Sequence, residues 1–146
     1  YHKFIGGNFR LDPIQAAVLL VKLPYLDQWS EARRKNSQYY NRKFAGTKVQ
    51  TPFISPDCET IYNQYMIRVP NRDKIVEYLK AQNIGCEVYY PVPLHLQECF
   101  KYLGYKEGDM PESEKAAKEV LALPIYPELT DEMKQAVADF ILEKIK

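Results

Sequence analysis

Apolar residues at helical spacing predict two consecutive helices in the first third of the chain. Asp12, Pro13 and Gln15 form a start signal: a capping acid, a proline suited to the first helical position, and the glutamine of a capping box. We expect a helix from Pro13 to Leu23 that is apolar nearly all round, a pattern typical of burial on more than one side. A second, longer amphipathic helix follows and is expected to end near Gly46.

The remaining two thirds mix strand and helix patterns. The run from Ile61 to Val69, rich in Tyr, Ile, Met and Val, predicts a strand, and Gly85 to Tyr89 predicts a shorter one. This mixture with amphipathic helices indicates an α+β domain. A brief strand is expected from Leu121 to Ile125. Helices are expected after Asn71, whose side chain can cap the first turn, from Pro111 to Val120 and from Asp131 to Ile145.

Composition narrows the class of protein. The 146 residues are 46% hydrophobic and 27% charged, which indicates one globular domain. Twenty Lys and Arg against 19 Asp and Glu give a net charge of +1, so no broad basic surface attracts nucleic acid. No run approaches the roughly 18 to 20 apolar residues of a membrane span. We therefore expect neither nucleic acid nor a membrane among the partners.

The cysteines argue against disulfide and zinc chemistry. Cys58, Cys86 and Cys99 are odd in number, widely spaced and without a CxxC pair, and the chain has only two histidines. We expect reduced thiols, a cytoplasmic protein and no metal site.

Common catalytic motifs are missing from the sequence, including GxGxxG, GxxxxGK[ST], HExxH and GxSxG. A lone histidine is more often a packing or hydrogen-bonding residue than a catalyst. A nucleophilic pair of His95 with Cys86 or Cys99 stays open, although no local signature supports it.

Two stretches carry candidate chemistry. In the first, Gly6 to Arg10, Asn8 and Arg10 precede a helix start, where they could bind a phosphate. Alternatively, this is a flexible helix entry with Arg10 paired to Asp12 or another acid. In the second, Tyr89 to Gln97, prolines stiffen a loop. That loop could present two phenols, an imidazole and an amide to a ligand. It could also be a tight reversal in which the tyrosines pack and the histidine caps the next helix.

The chain begins with Tyr1 instead of Met and contains twelve tyrosines, a residue enriched where surfaces meet partners. We expect an absent N-terminal part or a second subunit.

The order of these motifs resembles the DegT/DnrJ/EryC1/StrS family of sugar aminotransferases, which depend on pyridoxal phosphate. The resemblance covers nearly the whole chain. It implies an α+β fold with a small antiparallel sheet packed with amphipathic helices, the C-terminal domain of a fold-type I enzyme. The matching residues are Gly7-Asn8-Phe9-Arg10-Leu11-Asp12 with Gln15-Ala16-Ala17, Lys22-Leu23 with Leu26, Trp29 and Arg33, Tyr90-Pro91-Val92-Pro93-Leu94-His95-Leu96-Gln97, and Leu123-Pro124-Ile125-Tyr126-Pro127-Glu128-Leu129-Thr130.

The resemblance also implies how the chain is divided. Residues 1–24 would form a connecting segment and helix, and residues 25–146 the small domain, while the large N-terminal domain that holds most of the cofactor would be absent. The lysine that binds the cofactor covalently belongs to that large domain, so we expect no catalytic residue in this chain. The resemblance further implies that the first helix is partly exposed here and covered by the large domain or a partner subunit.

Site roles follow from the same resemblance. Asn8 matches a residue that reaches the cofactor phosphate of the neighbouring subunit in a homodimer. Arg10, Tyr89, Tyr90 and His95 match positions that face the nucleotide-sugar substrate, although many relatives have histidine where this chain has Tyr89.

The implied reaction moves an amino group from glutamate to a keto group of a nucleotide-linked sugar, for cell-surface polysaccharide or related amino-sugar biosynthesis. A catalytically inactive regulatory relative of the family and an unrelated α+β binding module are the alternatives.

Overall fold

The computed structural model describes residues 1–145, which contain five α-helices and a two-stranded antiparallel sheet. This confirms the α+β class. None of the described helices is long and apolar enough to cross a membrane. In chain order the elements are α1 (Pro13–Lys22), α2 (Leu26–Phe44), β1 (Tyr65–Arg68), α3 (Arg72–Ala81), α4 (Pro111–Glu119), β2 (Val120–Leu123) and α5 (Asp131–Lys144), with 3₁₀ turns at Leu23–Tyr25, Leu94–Leu96 and Glu98–Leu103.

The sheet is small because only four residues of each strand pair. Tyr65 lies opposite Leu123 and Ile67 opposite Leu121, and these four side chains are buried. Single bridges widen the sheet at both edges, one from Gln50 to Arg68 and one from Glu87 to Ala122. The alternation of buried and half-buried residues along β1 is typical of a strand with one face on the core.

The apolar core lies between this sheet and α2, α3 and α5. On α2, the ring of Tyr40 is stacked on Phe44 with centroids 6.0 Å apart and lies 5.2 Å from the ring of Tyr65. Burial raises the pKa of Tyr40 far above its ordinary value, so its phenol stays protonated and donates a hydrogen bond. Other buried core residues are Val49, Val69, Ile75, Leu79, Cys86, Ile125, Leu129, Val137, Ala138, Ile141 and Ile145.

Polar side chains of α2 hold the segment that follows β2. That segment contains two prolines, which lack a backbone N–H, and its carbonyl groups need donors from elsewhere. Three residues on one side of the helix supply them: Arg33 Nη1 donates to Ile125 O at 3.2 Å, Asn36 Nδ2 to Tyr126 O at 2.9 Å, and Tyr40 Oη to Pro124 O at 3.1 Å.

Two strand predictions are wrong in extent. The strand expected from Ile61 to Val69 is formed only by Tyr65–Arg68, because Tyr62 adopts a positive φ of 50° that breaks extended geometry before the pairing begins. The strand expected from Gly85 to Tyr89 is reduced to the bridge at Glu87. The sheet partner of β1 is instead β2 (Val120–Leu123), which overlaps the brief strand expected from Leu121 to Ile125 but begins one residue earlier and ends two residues earlier.

The third helix begins where expected, but its cap differs. Asn71 stands at the N-cap position with a φ of 53°, and its side chain makes no capping hydrogen bond. The expected side-chain cap is therefore wrong, because the left-handed backbone turns that side chain away from the amides of the first turn.

Helix α1 lies outside the core. Asp12 and Gln15 form the expected capping box: Asp12 Oδ1 accepts from Gln15 N at 2.8 Å, and Gln15 Oε1 accepts from Asp12 N at 3.1 Å. No residue of α1 is buried, and the first buried residue of the chain is Ser30. The expected exposure of this helix is confirmed, and its large apolar surface favours association.

We expect the chain to self-associate through α1. Replacing Leu20 and Val21, which are 70% and 73% exposed, by Glu should lower the sedimentation-derived association constant severalfold and leave the unfolding temperature almost unchanged. Gln135→Glu on the exposed side of α5 is the control, since it adds a carboxylate outside α1. A wild-type chain that stays monomeric at high concentration would contradict this expectation.

Candidate functional site

The N-terminal segment, residues 1–12, contains no helix or strand, bends at Lys3 and Phe4, and is exposed throughout. Among the described residues, the side chains of Asn8 and Arg10 have no hydrogen-bond or ion-pair partner. Asp12 uses its carboxylate to cap α1. The alternative in which Arg10 pairs with Asp12 is therefore wrong, and an amide and a guanidinium are free to bind an anion.

The second stretch, residues 89–97, is named here the Tyr-Pro loop. Tyr89 and Tyr90 are 40% and 53% exposed, with their rings in edge-to-face contact at 5.9 Å. The loop then enters the 3₁₀ turn Leu94–Leu96, in which His95 is buried, and ends at the buried Gln97. The phenols therefore face outward while the imidazole and the amide face inward.

His95 anchors the loop to the start of α4. Its Nε2 lies 3.0 Å from Oε1 of Glu114, and its ring meets Tyr105 edge-on with centroids 6.3 Å apart. The carboxylate of Glu114 also accepts from Gly108 N at 2.9 and 3.0 Å and from Met110 N at 3.3 Å. The side chain of His95 is only 3% exposed, so its ring contributes almost nothing to the surface of this chain.

His95 has neither of the partners considered from the sequence. It is paired with Glu114 and not with Cys86 or Cys99, so the nucleophilic Cys–His pair is absent from the described part of the chain. It also does not cap the following α-helix through a backbone N–H, since its Nε2 bonds the side chain of Glu114 in the first turn of α4. Contact between His95 and a substrate stays a prediction.

The environment of Glu114 favours its charged form. Partial burial raises the pKa of this carboxyl. The hydrogen bonds with His95 and with the Gly108 and Met110 amides lower the pKa by more than burial raises it, so the net pKa lies below the ordinary 4.5. The sequence offered no signal for this residue beyond an acid in the first turn of α4, because its partner is distant along the chain.

The N-terminal segment and the Tyr-Pro loop meet at His2. The N–H of His2 donates to Oε1 of Gln97 at 2.8 Å, and its C=O accepts from Cys99 N at 3.3 Å. The imidazole of His2 lies edge-on to Tyr90 with centroids 6.0 Å apart. The structure thus joins the start of the N-terminal segment to the Tyr-Pro loop through His2, four positions before the stretch Gly6 to Arg10.

A cavity lies next to Tyr89 of the Tyr-Pro loop. It has a volume of about 650 Å³ between β2, α5 and residues 83–87, and Arg33 and Tyr89 are on its wall. Of the five predicted site residues, Tyr89 alone lines it. No cluster of His, Cys, Asp and Glu suitable for a metal ion occurs within residues 1–145.

Comparison with known proteins identifies the family. Residues 1–142 match the model of the DegT/DnrJ/EryC1/StrS aminotransferase family. The chain belongs to this family, which excludes the unrelated binding module.

Three relatives illustrate the match. The chain is 50% identical to a pleiotropic regulatory protein of Geobacillus stearothermophilus, over 98% of this chain and 39% of that protein. It is 34% identical to a dTDP-3-amino-3,4,6-trideoxy-alpha-D-glucose transaminase of Streptomyces venezuelae, over 97% of this chain and 38% of that protein. The crystal structure of S. venezuelae DesV in complex with a ketimine intermediate superposes with a TM-score of 0.88 at 33% identity, covering 100% of this chain and 40% of that one. The chain therefore spans about two fifths of these relatives.

Glu114→Gln tests the anchor of the Tyr-Pro loop. A lowered pKa means that ionised Glu114 stabilises the fold above pH 4.5 and that this stability is lost as the pH falls through the lower pKa of the folded state. We expect the variant to unfold at a lower temperature at pH 7, with the difference from wild type shrinking in acid.

Glu112→Gln is the matched control, because this carboxylate lies on the same helix, is exposed and has no partner among the described residues. It should unfold close to the wild-type temperature at pH 7. A difference between Glu114→Gln and wild type that persists unchanged into strong acid would contradict the assigned role of the carboxylate.

Proposed function

We propose that this chain is the C-terminal part of a pyridoxal-phosphate-dependent aminotransferase that moves an amino group from glutamate to a keto group of a nucleotide-linked sugar. The pathway would be cell-surface polysaccharide or related amino-sugar biosynthesis, in the cytoplasm. Family membership supports the reaction class, and the relative from Streptomyces venezuelae is named as a nucleotide-sugar transaminase. The observation that carries the proposal is the pair of exposed, unpartnered polar side chains, Asn8 and Arg10, on a segment whose residue His2 is hydrogen-bonded to Gln97 of the Tyr-Pro loop.

The residues present fit a phosphorylated cofactor. An amide donor stabilises a phosphate dianion without itself titrating, and a nearby guanidinium adds a permanent positive charge. Pyridoxal phosphate, when bound, supplies the amino-group carrier and the electron sink of the reaction. In the proposed homodimer, Asn8 of one subunit holds the cofactor phosphate in the site of the other.

The other predicted site residues have distinct tasks in this proposal. Arg10 binds acidic groups of the nucleotide sugar. Tyr90 and Tyr89 present hydroxyl groups at the mouth through which the sugar enters. His95, fixed by Glu114, holds the loop that carries both phenols and lies behind them. This chain would thus bind and orient, while proton transfer belongs to a lysine outside it.

A second candidate is a regulatory protein of the same family without transaminase activity. The observation that favours it is the 50% identity to a protein named as a pleiotropic regulator. Both candidates share the fold and the surface described above, and the residue at the covalent cofactor position of the large domain separates them.

The 146-residue chain alone should be inactive. With pyridoxal phosphate, glutamate and a nucleotide-linked keto sugar, we expect no amino sugar by mass spectrometry and no stable visible absorbance band on the protein. A stoichiometric band that survives dialysis and maps to one specific lysine of this chain would place the covalent cofactor chemistry here and refute the proposal.

The two motifs should separate kinetically in a dimeric protein that includes the cofactor-binding domain. Asn8→Ala should weaken cofactor binding roughly ten- to hundredfold, because a hydrogen bond to a charged group contributes about 1.5–3 kcal/mol. Tyr90→Phe should mainly change the keto-sugar kcat/KM, because it removes one hydroxyl and little packing.

Equilibrium titration of the cofactor and sugar kinetics, measured on both variants, provide the comparison. Unchanged cofactor affinity in Asn8→Ala, or equal loss of cofactor in Tyr90→Phe, would contradict the division of tasks between the motifs.

A further inference from the structure

Gln97 is a buried amide whose two ends face different parts of the chain. The residue is 2% exposed. Its Nε2 donates to Val92 O of the Tyr-Pro loop at 2.8 Å, and its Oε1 accepts from His2 N of the N-terminal segment at 2.8 Å. One side chain therefore joins the two stretches on which the proposed site depends.

The attachment at His2 uses backbone groups. Besides the N–H bonded to Gln97, the C=O of His2 accepts from Cys99 N. The side chain of His2 is exposed and meets only the edge of the Tyr90 ring within residues 1–145. Two backbone hydrogen bonds thus fix this residue, whatever its side chain.

The cost of leaving Gln97 unpaired favours this docked arrangement. A buried carbonyl oxygen without a donor is unfavourable, and the N–H of His2 is the donor that the structure gives to Gln97 Oε1. Asn8 lies six positions after His2, and an extended chain spans at most about 3.3–3.6 Å per residue. Docking His2 therefore confines Asn8 to within about 20 Å of the Tyr-Pro loop.

We propose that Gln97 is a positioning residue that fixes His2, and with it the start of the N-terminal segment, to the Tyr-Pro loop, so that the groups on the segment stay within reach of the phenols of the loop. Its consequence for catalysis rests on the proposed function: the contacts to the cofactor phosphate and to the sugar would be set together.

A matched pair of variants at residue 2 tests the attachment without disturbing the core. His2→Pro removes the backbone N–H, whereas His2→Ala keeps it and removes the imidazole. The readout is hydrogen exchange of the Cys99 amide, which donates to His2 O. We expect exchange about tenfold faster in His2→Pro and within about twofold of wild type in His2→Ala.

Gln97→Met is the second variant, since methionine has a similar shape but neither hydrogen-bonding group. It should also speed exchange of the Cys99 amide about tenfold, while the amide of the buried Ile67 in β1 keeps its protection and reports an intact fold. If this variant does not fold, the residue-2 pair still decides the question, because His2 is exposed. Equal Cys99 exchange in His2→Pro and His2→Ala would overturn the proposal.

Kinetics of the dimer that includes the cofactor-binding domain test the functional consequence. His2→Pro should raise both the cofactor Kd and the sugar KM severalfold relative to His2→Ala. A loss of general stability alone would instead lower the amount of active enzyme and leave Kd and KM of the folded fraction unchanged. Faster Cys99 exchange with unchanged kinetics would refute the joint setting of the two contacts. Absence of any transaminase activity would refute the proposed function, and the exchange data would still decide the attachment.

Discussion

The hydrogen bonds from side chains of helix α2 to the carbonyl groups of residues 124–126 determine how α2 is placed against the sheet. Pro124 and Pro127 remove backbone donors, so this segment cannot continue the ladder of β2, and its carbonyls require other partners. Arg33, Asn36 and Tyr40 recur at intervals of three and four residues, which places them on one side of the helix. A buried polar group left without a partner costs about 1–3 kcal/mol, so these three hydrogen bonds strongly favour a single position of α2 against the sheet.

The candidate site depends on this framework through a series of buried polar contacts. Because β2 follows α4 directly in the chain, the sheet fixes the C-terminal end of α4. The first turn of α4 carries Glu114, which is hydrogen-bonded to His95. Two residues further along the chain, Gln97 holds both the Tyr-Pro loop and His2. Of the groups expected to meet ligands, Asn8, Arg10, Tyr89 and Tyr90 are exposed, whereas His95 is buried and hydrogen-bonded, as is Gln97.

The sequence was most informative where the signal is local. The capping box at Asp12 and Gln15 and the helices of the second half depend on neighbouring residues, and they could be predicted from spacing. Partner strands could not, because β1 and β2 are separated by more than fifty residues and the choice of β2 over residues 85–89 depends on packing. Glu114 was missed for the same reason: nothing near it in the sequence indicates a contact with His95.

The exposed position of helix α1 has a consequence for sequence variation. Because no residue before Ser30 is buried, the folding free energy of this chain constrains its first helix only weakly. The apolar run of Ala, Val and Leu in Pro13–Lys22 is therefore not required by the core of the domain to which the helix is attached. Any constraint on it would come from a surface that covers the helix. Substitutions in α1 would cost this chain little folding stability. Selection would therefore remove them only where they disturb a surface that packs on the helix, and the substitutions that α1 tolerates would indicate the chemistry of that surface.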